Sequence, residues 1–262
     1  MTLLSYRAHP AVTKAAFVAE MEAHLAADQI KAGFYWSCGS GCAIGCGIQS
    51  ILTLHGPNIE EHSDHAAHAA ALGIPAWLSL VQDTLFENLS GPDQQSFPVA
   101  FARALPDGGY LSGLYAAWMP WVLREVVLPA AAGDDAVCAI IERVAAGLES
   151  NWATDDLLAV RFAAGAVVQA TTGSVDRGAE QVVSLNAAWA AAYCAAGAKD
   201  AARSAARIGG VARNAAQDAV RCGIRATAWN AAGGFSANGR AATLKMANRL
   251  LVLMAACPVV AA

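Results

Sequence analysis

Between Gly33 and His68 the chain reads GFYWSCGSGCAIGCGIQSILTLHGPNIEEHSDHAAH, gathering three of the seven cysteines (Cys38, Cys42, Cys46) and four of the six histidines (His55, His62, His65, His68). Thiols attack carbonyls, imidazoles move protons near neutral pH, and both bind metal ions alongside carboxylates. Any active site is therefore expected to include this stretch. A helix is expected to begin near Cys42, where the free N–H groups of the first turn favour a thiolate and leave an anion hole that Gly41 and its neighbours open to a substrate carbonyl. The sharpest reading makes Cys42 the nucleophile and His65 the general base, with Asp64 or Glu61 orienting that base. Gly41, Cys46, His24 and Asp28 are the supporting residues. The plainer reading of the same glycines and cysteines is a packing junction, with Gly41 and Gly45 letting backbones approach.

A second chemistry fits the same stretch. At 100° per residue Glu61, His65 and His68 fall on one helix face, a ligand set for zinc or iron, with or without Cys42 or Cys46. No Lys or Arg occurs from Ala32 to Ala102, although six carboxylates do, and such a local field attracts cations. Glu20, His24 and Asp28 recur every four residues in the first expected helix, as do Asp83 and Glu87 in a later one. Each series is either part of a site or a solvated stripe.

The elements that must position these groups are helices. Apolar spacing predicts helices at about 11–32, 42–55, 58–72 (capped by Asn58 or Ser63), 75–89 and 93–105, then a kinked one at 111–128, with later ones at 134–148 and 154–171. Gly33, Gly56-Pro57, Gly73, Ser90-Gly91-Pro92 and Pro106-Asp107-Gly108-Gly109 punctuate them. No run alternates with period two for long, so the expected fold is all-α, a multi-helix bundle of about ten helices with no substantial sheet. The expected division is 1–172, a helical core domain holding the Cys/His segment, and 173–262, an alanine-rich basic helical part.

GSGCAIGC (39–46), with FYW before it and DHAAHAAALGIPAWL (64–78) after it, resembles a group of uncharacterised bacterial proteins that carry G-K-G-C-A-V-G-C, then H-A-A and L-G-I-P, and an alanine-rich helical C-terminal part. The resemblance spans about residues 5–130. It implies that Cys42, Cys46 and His65 are motif positions and brings no activity with it. Ser40 stands where that group has lysine, and the segment between Cys46 and His65 is longer.

Charged residues are only 15% of the chain and apolar ones 56%, mostly alanine, which suits close helix contact. The uncharged run around 110–123 and the apolar tail 250–262 are both shorter than the roughly 20 residues a span needs, so no membrane partner is expected. No signal peptide is read at the N-terminus, and seven cysteines, an odd number, suit reduced thiols in the cytoplasm. Residues 1–177 hold 8 Lys/Arg and 18 Asp/Glu, whereas residues 178–262 hold 9 and 3. Lys199, Arg203 and Arg207 form a basic stripe that could meet an anionic partner such as nucleic acid, although no aromatic residues interleave with it. Walker, nucleophile-elbow and zinc-protease motifs are all missing.

The leading expectation is thus a cytoplasmic helical enzyme, a cysteine hydrolase or group transferase acting on a small molecule or peptide, with no cofactor. Its rivals are a zinc or iron enzyme on Glu61, His65 and His68, and a helical binding module with an anionic partner.

Overall fold

The computed structural model describes residues 4–130, 135–150 and 237–260. Within them the chain is helical, and strand pairing is limited to the isolated bridges Ile30 with Gly41, Ser37 with Ser40, and Gly109 with Val259. The all-α expectation therefore holds for the described residues. The expected helix at 154–171, the boundary at 172/173 and the stripe of Lys199, Arg203 and Arg207 lie outside them.

The chain divides into two compact units, one of residues 1–114 with 247–262, the other of 115–246. In the first, α1 (Lys14–Ala26) starts where the Thr13 side chain accepts the N–H of Ala16. It ends six residues earlier than apolar spacing predicts. Asp28 adopts a left-handed φ of +53°, and the chain then turns to pair Lys31 and Gln29 with Gly41. Next come α2 (Ala43–Thr53), α3 (His65–Leu72), α4 (Ala76–Asn88) and α5 (Gly91–Ala104), the last carrying Pro98 inside it.

Gly73 closes α3 in the left-handed conformation, and a Cβ there would lie 2.2 Å from the Leu4 carbonyl oxygen. α1 packs on α2 and α5, while α4 packs on α2, α3 and α5. Burial of Met21, Ile44, Ile48, Ile51, Leu72, Leu78, Leu85 and Phe86 joins these helices into one core.

The second unit runs through α6 (Leu114–Val122), a π-helical turn (Leu123–Val127), α7 (Leu128–Ala130) and α8 (Asp135–Glu149). Arg124 in the π turn is tied to Glu142 and Glu149 of α8. α9 (Ala237–Ala255) contributes to both units. No single described helix is long and apolar enough to cross a membrane; α3 and α4 reach that length only together, bent by 116°.

Candidate functional site

The start of α2 shows why the sequence spends glycines there. Residues 33–41 arch over the first turn, and the Cys42 N–H donates to the carbonyls of Phe34 (2.8 Å) and Tyr35 (3.1 Å). A Cβ at Gly41 or Gly45 would sit 1.8 or 1.4 Å from the Tyr35 oxygen, so no other residue admits the arch. A Cβ at Gly47, one residue past Cys46, would lie 2.6 Å from His68 Nε2. Each glycine thus clears a path for a specific group. The expected anion hole is corrected at one point: the Cys42 N–H is committed to the protein's own carbonyls.

Cys42 is the N-cap of α2 and only 1% exposed. Its thiol is pushed up to about 12, first by burial, then by Asp83 and to a lesser degree Glu87. The backbone N–H groups of Gly45 and Ile44, directed at the sulfur, pull the other way. Cys46 is buried one turn on. Its thiol donates to the Gly41 carbonyl at 3.3 Å and is also raised to about 12, by burial.

Facing this helix start, α3 and α4 meet in two polar rungs. His65 Nε2 lies 3.1 Å from Asp83 Oδ2, and since a carboxylate accepts, Nε2 carries the hydrogen. One turn deeper, His68 Nδ1 lies 2.9 Å from Ser79 Oγ. His68 is fully buried, its Nε2 has no partner, and burial drives its pKa down to about 3, with His65 adding to the effect.

Ser79, Asp83 and Glu87 recur every four residues and so share one stripe of α4. At the outer end of the stripe Glu87 accepts the Gly33 N–H at 3.0 and 3.2 Å, which fastens the arch to α4. Burial raises the Glu87 pKa, against that N–H, with Asp83 adding to the rise.

The consequence is a convergence. Cys42 Sγ and a carboxylate oxygen from each of Asp83 and Glu87 all lie within 4.8 Å of one another. Asp83 is 8% exposed and its Oδ1 has no hydrogen-bond partner. Among the described residues no Lys or Arg forms an ion pair with Asp83 or Glu87. A divalent cation fits such a donor set, one soft sulfur and two hard oxygens, and would satisfy the orphaned oxygen.

Cys42 and His65 are brought to the same carboxylate but share no hydrogen bond with each other. Asp64 does not orient His65; it caps α3, its Oδ1 accepting the N–H groups of Ala66 and Ala67 at 2.9 Å. Because the helix starts at His65, Glu61 precedes it and is exposed, so the expected face of Glu61, His65 and His68 does not form. His68 points into the core at Ser79 and Gly47.

Asp28 lies beyond α1, pairing with Lys31 and accepting from Gln95. His24 bonds Gln29 at 2.6 Å and meets the Trp36 ring edge-on, so it supports the arch from beneath. Trp36 also stacks on His62, while the Tyr35 ring meets His65 edge-on. Asp83 and Glu87 were visible in the sequence as an i, i+4 carboxylate pair, but their partner in the fold is 41 residues or more away, at Cys42.

No protein-family model matches this chain, and no curated protein or solved structure matches it either.

Proposed function

We propose that the first unit is a metal-dependent helical enzyme whose centre is a divalent ion of the zinc or iron class, held by Cys42, Asp83 and Glu87, with hydrolysis as its reaction class. The observation that carries this reading is the convergence of Cys42 Sγ with a carboxylate oxygen of Asp83 and one of Glu87 within 4.8 Å, and it is supported by the buried Oδ1 of Asp83 having no hydrogen-bond partner. Three protein ligands leave a tetrahedral ion one position for water, whose pKa such an ion lowers toward neutrality. His65 Nε2 is bonded to the carboxylate of Asp83, so His65 would exchange a proton with that water through its other ring nitrogen, Nδ1. Asp83 would bind through one oxygen and be held by His65 through the other, a common outer-shell arrangement.

A second reading, Cys42 as a thiolate nucleophile with His65 as its base, is supported by the sulfur's place at the start of α2. Two neighbouring carboxylates and burial oppose the thiolate unless a cation is present, which favours the metal reading.

Equilibrium dialysis of the protein against zinc, followed by elemental analysis, separates the two. The metal reading expects one zinc per chain, lost in Cys42→Ser, Asp83→Asn and Glu87→Gln and kept in Glu61→Gln. Folded wild-type protein that retains no zinc, iron or other divalent metal would remove it.

A further inference from the structure

We propose that this centre, taken as the metal site argued above, accepts an uncharged or cationic substrate bearing a flat apolar group, which lies against Phe34 and Tyr35 while its polar head reaches the ion. Phe34 and Tyr35 are 42% and 38% exposed, adjacent large rings turned to solvent in a unit that buries most others. An adjacent pair of part-exposed rings is an apolar surface open to contact.

The backbone that carries these rings is fixed. The arch that carries them is held at Gly33 by Glu87, at Gly41 by Gln29 and Lys31, and at its centre by the Cys42 N–H on the Phe34 and Tyr35 carbonyls. The surface is also continuous with the centre: the Tyr35 ring lies 5.7 Å from the His65 ring, which in turn bonds Asp83. Aromatic side chains with a few polar groups beside them are the usual lining of a small-molecule site.

Charge narrows the class. Three anionic ligands outweigh one dication, and Glu60, Glu61 and Asp64 add to a segment with no Lys or Arg from Ala32 to Ala102. The loaded site therefore keeps a negative field, which repels phosphate esters and admits neutral or cationic acyl compounds.

The test uses zinc-loaded full-length protein with three probes: benzohydroxamic acid, acetohydroxamic acid and phenyl phosphate, measured by calorimetry after zinc content has been determined. The phenyl hydroxamate is expected to bind about tenfold or more tightly than the methyl one, with phenyl phosphate weakest. Phe34→Ser and Tyr35→Ser should each shrink the phenyl preference while zinc content stays at wild-type level. Full zinc content with equal affinity for the two hydroxamates, a preference indifferent to both substitutions, or tightest binding of phenyl phosphate would overturn this inference alone. Absence of zinc uptake would overturn the metal reading and this inference with it.

Discussion

His65 Nε2 lies 3.1 Å from Asp83 Oδ2, and that bond divides the carboxylate: one oxygen is committed to the imidazole, while Oδ1 is buried without a partner. In the proposed centre that division would leave Asp83 one oxygen for the ion and make His65 a positioning residue. His65→Gln is therefore expected to weaken zinc affinity by about 10–100-fold without abolishing it, the usual effect of losing an outer-shell partner. Competition titration against a chelator measures this. An unchanged affinity would show that His65 does not position Asp83.

Zinc binding should release protons. The Cys42 thiol is held at about 12 by burial and by Asp83, so it is protonated in the free protein near neutral pH and must lose that proton to become a ligand. Affinity is thus expected to rise about tenfold per pH unit between pH 6 and 8 for one proton released. Calorimetry in buffers of different ionisation enthalpy gives the proton count directly, and zinc uptake by the wild-type protein with no proton released would contradict a ligand that starts as the Cys42 thiol.

His68 makes stability depend on pH in a stated direction. Its folded pKa is about 3, below the unfolded value of 6.5, so the unfolded chain takes up its proton first as the solution is acidified. The contribution of neutral His68 is fully present above pH 6.5, is lost progressively down to about pH 3 and is constant below that. At about 1.4 kcal/mol per unit the loss is on the order of 5 kcal/mol. Urea unfolding at several pH values, compared with His68→Leu, should show a shallower acid loss in the variant. Equal slopes would remove the claim.

The glycines of α2 make an ordered series. Gly47→Ala places a Cβ 2.6 Å from a side-chain atom of His68 and should cost about 1–3 kcal/mol. Gly45→Ala meets the backbone oxygen of Tyr35 at 1.4 Å, where rotation of a side chain offers no relief, so its cost should be larger and the arch should shift. A double-mutant cycle of Gly47→Ala with His68→Ala should show coupling, because the second change removes the obstacle. Thermal melts that rank Gly47→Ala as the more damaging substitution would contradict the contact geometry.

Much of this arrangement was legible in the sequence because it is local. Gly41 and Gly45 around Cys42 announce a helix start and a close backbone approach, and both are present. The histidine spacing in DHAAH announces two groups on one side of α3. What was misread turns on one cap: with Asp64 rather than Asn58 or Ser63 as N-cap, Glu61 drops out of the helix and Asp64 is consumed by Ala66 and Ala67. Asp83 and Glu87 stood out only as a pair whose face was undetermined, since a helix stripe does not reveal which neighbour it meets. That information lies in how α4 packs against α2 and α3, a long-range property of the core.

Cobalt substitution reports on the metal–sulfur bond itself, because a cobalt–thiolate bond adds a sulfur-to-metal charge-transfer band in the near ultraviolet. That band is expected on adding one equivalent of Co(II) to the wild-type protein, with its loss in Cys42→Ser and its retention in Cys38→Ser and Cys46→Ser. A folded wild-type protein that shows no band, or a band that survives in Cys42→Ser, would contradict a metal centre built on Cys42, Asp83 and Glu87.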